Sequence, residues 1–151
     1  MEIYRVTYDW LTTEAKDLLD RHYSEVPYVM SPDSYEVNSP LYKVIEAQGN
    51  LLCLVAKDGE ELVGYVSGMV TPMMHNADKS VFMATSFYTI PERRKQGCAK
   101  ELYSELVQVC AGVGIDYIHY TVNSTFPEAK ALVESLGMQE VETTYSVKVG
   151  D

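Results

Sequence analysis

The residues best suited to chemistry lie in one run, Ile90-Pro91-Glu92-Arg93-Arg94-Lys95-Gln96-Gly97-Cys98-Ala99-Lys100. Arg93, Arg94, Lys95 and Lys100 fall within eight positions and make up a third of the 12 Lys and Arg in the chain. The run separates a strand pattern from an amphipathic helix pattern. A strand entering a helix through such a loop leaves several backbone N–H groups unpaired at the positive end of the helix dipole, a seat for a phosphate or pyrophosphate. Gly97 and Ala99 keep bulk away from the backbone an anion would touch, and the basic side chains add charge. Taken alone, the loop equally fits a plain helix start with solvated basic residues, since it is neither a Walker loop nor GxGxxG.

The elements that must position this loop follow from hydrophobic periodicity. Residues 2–8 alternate as a strand, and Thr12 or Thr13 is placed to cap a helix whose apolar face is Ala15, Leu18, Leu19 and Tyr23. Pro27, Pro32 and Pro40 bracket a loop carrying Tyr28, Tyr35 and Tyr42, either functional or a lid on the core. A helix is expected from about Leu41 to Ala47, ended by Gly49. Residues 51–56 and 62–70 form two apolar strands joined through Asp58-Gly59, an antiparallel hairpin. A strand over about 81–89 ends at Pro91, and Ala99, Leu102, Tyr103, Leu106, Val109 and Cys110 mark one face of a helix over about 95–111. A strand at 115–122, a helix at 127–136 ended by Gly137, and a closing strand at 141–149 complete the order. Tight turns join the middle strands and helical crossovers the later ones. The expected class is therefore α/β (α+β), with a mixed, mainly antiparallel central sheet.

Composition narrows the function. The 151 residues, 46% hydrophobic and 23% charged, suit one globular domain spanning 1–151. Against 12 basic residues stand 22 acidic ones, and the net charge of −10 disfavours a nonspecific grip on nucleic acid or an anionic membrane. Cys53, Cys98 and Cys110 are odd in number and lack CxxC spacing, which argues against a disulfide framework and a zinc site and for a cytoplasmic setting. No apolar stretch approaches the ~20 residues that span a bilayer, and residues 1–8 lack the layout of an export signal.

Arg94-Lys95-Gln96-Gly97-Cys98-Ala99 resembles the R/Q-x-x-G-x-G/A signature of the GNAT acyltransferases, with Pro91 three residues before the Arg. The element order over about residues 2–149 is also similar, and Leu136-Gly137-Met138 stands where the family has Gly-Phe. Thr71-Pro72-Met73-Met74-His75 and Phe87-Tyr88-Thr89-Ile90-Pro91 look like GNAT proteins encoded by tailed phages. The resemblance implies the GNAT fold, with about six to seven strands and about four flanking helices. It implies an N-acetyltransferase that moves an acetyl group from acetyl-coenzyme A (acetyl-CoA) to an amine by direct attack, the acceptor being a small molecule or a protein Lys or N-terminus. By the same resemblance the coenzyme's pyrophosphate lies on Arg94, Lys95, Gln96, Gly97, Cys98, Ala99 and Lys100, its pantetheine along Phe87, Tyr88, Thr89 and Ile90, with Asn123 also in contact. The strands at 81–89 and 115–122 should part there, and a backbone N–H should polarise the thioester carbonyl. Cys98 is then a small packing residue rather than a nucleophile.

The sequence departs from the family pattern in both proton-transfer roles. Many members carry a Tyr four residues before the Gly that ends the last helix; here that position is Val133. Tyr145, Tyr120 and Ser124 are the available hydroxyls. The stretch 81–89 contains no acid, so the candidate bases are His75, His119 or a water chain ending on backbone or Glu25. Glu25, Asp33 and Glu36, set among Tyr23, Tyr28 and Tyr35, form either an amine-selecting wall or a solvated acidic loop. The alternative to an enzyme is a weak or inactive GNAT-fold protein that binds coenzyme A or a partner without turnover. A nucleic-acid-binding module built on residues 93–100 conflicts with the net charge. Many proteins of this fold dimerise, so a homodimer is a further expectation.

Overall fold

A computed structural model describes residues 1–26 and 37–150. Its sheet has five strands in sequential order: β1 (Glu2–Val6), β2 (Leu51–Asp58), β3 (Glu61–Met73), β4 (Asn76–Thr89) and β5 (Tyr117–Tyr120). The first three pairings are antiparallel and β4–β5 is parallel, the crossover being made by α4 (Cys98–Gly112). The remaining helices are α1 (Tyr8–Glu14), α2 (Lys16–Glu25), α3 (Ser39–Ala47) and α5 (Pro127–Ser135). The mixed α/β class holds, and among the described residues there is no helix long and apolar enough to cross a membrane.

The centre of the sheet is covered on both faces, because Leu51–Ala56 of β2 and residues 63–68 of β3 are buried without alternation. Residues directly opposite in an antiparallel pair share a face. Tyr65 pairs with Tyr88 on the face covered by α2, where His22 Nδ1 lies 2.6 Å from the Tyr65 hydroxyl. Val66 pairs with Phe87 on the other face, and Phe87 lines an apolar cavity with Tyr103 and Leu106 of α4. Leu102 and Leu106 are fully buried there, as the sequence periodicity of α4 requires.

Several boundaries differ from the sequence reading for identifiable reasons. Thr7, not Thr12 or Thr13, caps the first helix, its hydroxyl accepting from Trp10 N–H at 3.1 Å. Thr12 and Thr13 instead donate back to helix carbonyls of Tyr8 and Asp9. The helix breaks at Ala15, splitting α1 from α2. β4 begins at Asn76 rather than Val81, since polar residues continue the hairpin beyond the covered sheet. The helix of the basic loop begins at Cys98 rather than Lys95 because Lys95 has φ 64° and Gly97 φ 89°. The expected sixth or seventh strand is not in the sheet. Residues 141–149 are exposed on both sides, and their alternation finds no ladder among the described residues.

Candidate functional site

The loop from β4 into α4 is shaped by its backbone. After Thr89, Pro91–Arg93 make one 3₁₀ turn, Arg94 is extended, and Lys95 and Gly97 take left-handed conformations. The first intrahelical bond of α4 is Glu101 N–H to Gly97 O at 3.0 Å, and no side chain among the described residues caps the helix. The N–H groups of Cys98, Ala99 and Lys100 therefore open from the helix end. A Cβ built on Gly97 would meet nothing nearer than Glu101 Oε1 at 4.0 Å. It is φ, not crowding, that requires Gly here, and the space above the loop is open.

Arginine side chains fasten this loop rather than line it. Arg93 pairs with Asp58 at 3.0 Å and Glu61 at 3.5 Å, on the β2–β3 hairpin. Arg94 donates from Nε to Thr89 O at 3.1 Å and pairs with Glu25 at the end of α2. Arg21 of α2 grips both oxygens of Glu92, at 2.9 and 2.8 Å. Lys95 and Lys100 form no ion pair among the described residues, so they are the charges left for an anion. Burial raises the Cys98 thiol's pKa, which makes it a packing residue and a poor nucleophile.

Beside the loop, β4 parts from β5. Their parallel pairing runs from Val81–Tyr117 to Ala84–Tyr120 and stops. Across β3, Ser67 pairs with Ser86 but Gly68 pairs with Ala84, which leaves Thr85 as an extra residue in β4. The Thr85 hydroxyl donates to Ser67 O at 3.2 Å. A Cβ at Gly68 would lie 2.2 Å from Met83 O and 2.7 Å from the Phe82 ring, so the bulge depends on this glycine. Beyond the bulge, the edge of 85–89 faces a gap bounded by Phe87 and Tyr120, whose rings meet edge to face at 5.8 Å.

On the opposite face, Glu25, Tyr88, Arg94 and His22 make a network. Tyr88 donates to Glu25 Oε2 at 2.9 Å, Arg94 lies 5.5 Å over the Tyr88 ring, and His22 stacks on Tyr88 at 4.6 Å. The hydrogen bond from Arg94, with that from Tyr88, holds the Glu25 carboxyl below its usual range. Burial, aided by the Arg94 charge, lowers His22 to about 4. Burial first and the Glu25 hydrogen bond second push Tyr88 up to about 12. At neutral pH the network is one anion, one cation and two neutral rings.

A model of the acetyltransferase (GNAT) family matches residues 9–138. The chain belongs to the GNAT acetyltransferase family. No curated protein matches it in sequence. Among solved structures, an aminoglycoside acetyltransferase, meta-AAC0020, from an uncultured soil metagenomic sample in complex with sisomicin superposes with TM-score 0.73 at 18% identity, covering 97% of this chain and 96% of that one. A transcriptional regulator from Bacillus halodurans C-125 superposes with TM-score 0.74 at 20% identity, covering 98% and 99%. The aminoglycoside N-acetyltransferase AAC(6')-Iy in complex with CoA superposes with TM-score 0.71 at 12% identity, covering 99% and 100%. At these identities the likeness is one of fold.

Phe87, Tyr88 and Thr89 end β4 and lead through Ile90 into the loop that carries Arg94 to Lys100. Asn123 lies past β5, where its carboxamide oxygen accepts from Thr125 N–H at 2.9 Å and the Thr125 hydroxyl at 2.7 Å to form the turn into α5. The proposed proton carriers do not gather there. His75 is exposed in the β3–β4 turn, about 30 Å along β4 from the bulge at 3.3 Å per residue. His119 is half-buried opposite Met83, on the far side of the bulge from Tyr88. Tyr145 is exposed in the stretch after α5. Tyr120 does reach the gap, its hydroxyl donating to Phe87 O at 3.4 Å, and burial raises it to about 12. Val133 lines the same cavity as Phe87 and Tyr120. The Glu25–Tyr88–His22 network escapes the sequence reading because its members are up to 66 residues apart; Glu25 and Tyr88 are named there in separate roles and His22 in none. Asp33, Glu36, Tyr28 and Tyr35 lie outside the described residues.

Proposed function

We propose that this GNAT chain is an acetyl-CoA-dependent N-acetyltransferase acting on a cationic amine. The observation that supports it most is the uncapped start of α4, with three open N–H groups, the clear space over Gly97, and Lys95 and Lys100 beside it. That combination fits a pyrophosphate at a helix N-terminus. When bound, acetyl-CoA supplies an activated acyl thioester. Residues 94–100 would hold the pyrophosphate through backbone N–H groups, and the β4 edge past the Thr85 bulge would hold the pantetheine arm and offer an N–H to the thioester carbonyl.

Proton handling in this reading is modest. Tyr120, raised to about 12, serves as a hydrogen-bond donor in the gap and is too weak an acid to give its proton to a thiolate, so solvent supplies that proton. Glu25, kept ionised, attracts the acceptor ammonium and is too weak a base to remove its proton, which leaves through water. His75 and Tyr145 have no part in this arrangement. The related structures that hold aminoglycosides make polyamine-like sugars sensible first acceptors to assay.

The test is thiol release from acetyl-CoA over a panel of aminoglycosides, polyamines and Lys peptides. Release with an amine and acetylated product by mass spectrometry are expected. Tight coenzyme binding without release over any acceptor would favour a binding protein without turnover, the reading to which Val133 and the acid-free stretch 81–89 point.

A further inference from the structure

His22 and Glu25 stand three residues apart on α2 and so share one face of that helix. Tyr65 and Tyr88 are directly opposite on β3 and β4 and share one face of the sheet. Where the two faces meet, three rings gather. His22 lies 4.6 Å from Tyr88 with the planes 16° apart and 5.6 Å from Tyr65 at 67°, and the two tyrosine rings are 6.4 Å apart.

Packing alone does not call for these residues. Leu18 and Leu19, in the preceding turn of α2, fill the same kind of space with buried aliphatic side chains. An imidazole at position 22 is a costlier filling, because the burial of its nitrogens must be offset by hydrogen bonds. The Tyr65 hydroxyl, 2.6 Å from Nδ1, offsets one and fixes the turn of the ring. Burial keeps that ring neutral, so it stacks on Tyr88 without adding a second cation beside Glu25.

Tyr88 carries the arrangement to the carboxylate. Its hydroxyl donates to Glu25 Oε2 at 2.9 Å, while Arg94, 5.5 Å over the same ring, takes Oε1. An ionised carboxylate can accept at about four positions, so one donor on each oxygen leaves capacity for a further donor. The Glu25 side chain is 26% exposed, which opens that capacity to solvent.

We propose that His22 and Tyr65 are positioning residues for acceptor selection: by setting the plane of the Tyr88 ring they aim its hydroxyl, and so hold the Glu25 carboxylate where it receives an ammonium group. The inference rests on the reading of Glu25 as the anion that attracts the acceptor. Both residues act through Tyr88 rather than by contact with substrate.

Three variants keep the space filled and separate positioning from packing. His22→Leu removes the stack and the hydrogen bond, Tyr65→Phe removes the hydrogen bond alone, and His22→Phe restores a ring against Tyr88. The Glu25 carboxyl, labelled with carbon-13 and assigned by its loss in Glu25→Gln, reports its own titration by NMR; Arg94, Tyr88 and His22 are the groups that act on it among the described residues. In His22→Leu its midpoint should rise toward the usual carboxylate range by about half a pH unit, with a smaller rise in Tyr65→Phe and recovery in His22→Phe. Because Phe carries no charge, that recovery separates ring position from the effect of a protonated imidazole. In His22→Leu the KM for a cationic amine should rise about fivefold relative to that for a neutral one, and no further when Glu25→Gln is already present. Turnover with unchanged discrimination, an unmoved Glu25 titration, or a rise that His22→Phe does not reverse would overturn the proposal and leave the acyl-transfer reading in place. A wild type that acetylates no amine would overturn that reading, and the selection role with it.

Discussion

The Tyr88 hydroxyl donates to Glu25 across 63 positions of sequence at 2.9 Å, joining the last turn of α2 to the strand that enters the basic loop. Glu25 spends its other oxygen on Arg94, the first residue of the family signature. The network thus ties α2 to the basic loop, and under the proposed function an acceptor amine would approach it from its other side. Tyr88→Phe should cost about 1 kcal/mol of stability and leave acetyl-CoA affinity unchanged. Glu25→Gln should also raise the KM for a cationic amine about tenfold with little change for a neutral one, checked by steady-state kinetics over both.

His22 gives the fold a pH dependence. Burial holds its folded pKa near 4 against an ordinary value of 6.5, so it stays neutral in the native protein while the unfolded chain takes up a proton. The stability it confers is complete above about pH 6.5 and is lost as pH falls toward 4, with an upper value of about 3 kcal/mol. Glu25 acts in the same direction lower down: its depressed pKa contributes above its unfolded value and is lost as pH falls further. Urea unfolding between pH 7 and pH 4 should show the decline, and His22→Asn should flatten its upper part.

The Thr85 bulge rests on Gly68. With a Cβ placed 2.2 Å from Met83 O, Gly68→Ala must force β3 and β4 apart. The expected loss is about 3 kcal/mol or more, visible as a lowered thermal midpoint. Gly49, whose Cβ would meet nothing within 4 Å, makes the control: Gly49→Ala should cost only the strain of its φ of 76°, about 1 kcal/mol.

Legibility in the sequence tracked burial. The β2–β3 hairpin and α4 were readable because Leu51–Ala56 and the Leu102–Leu106 face are buried and their patterns repeat. The start of β4 was not, since Asn76 to Lys79 are exposed and carry no apolar signal. The bulge at Thr85 leaves no mark in composition, and without it the parting of β4 from β5 cannot be located. The left-handed turn at Gly97 and the start of α4 just after it were readable from Gly97 and the helix pattern that follows. The use of Arg93 and Arg94 as fasteners was not, because Asp58 and Glu25 are distant in sequence. Alternation at 141–149 predicts a closing strand that the sheet of the described residues does not contain, because those residues are exposed on both sides.

Lys95 and Lys100 are the basic residues of the loop with no ion pair among the described residues. Lys95→Ala/Lys100→Ala should weaken acetyl-CoA about tenfold or more, with the salt dependence of binding reduced, while Arg93→Ala should act chiefly on stability. Titration calorimetry at two salt concentrations separates these effects.

Under the proposed function the open start of α4 holds the coenzyme's pyrophosphate. Ala99→Glu places a carboxylate in the first turn of α4, where a negative charge favours the helix and no left-handed backbone is disturbed. Calorimetric titration with acetyl-CoA should show one saturable site in the wild type and a loss of at least about 100-fold, or 2.7 kcal/mol, in Ala99→Glu with its thermal midpoint intact. Equal affinity in the two proteins would contradict the assignment.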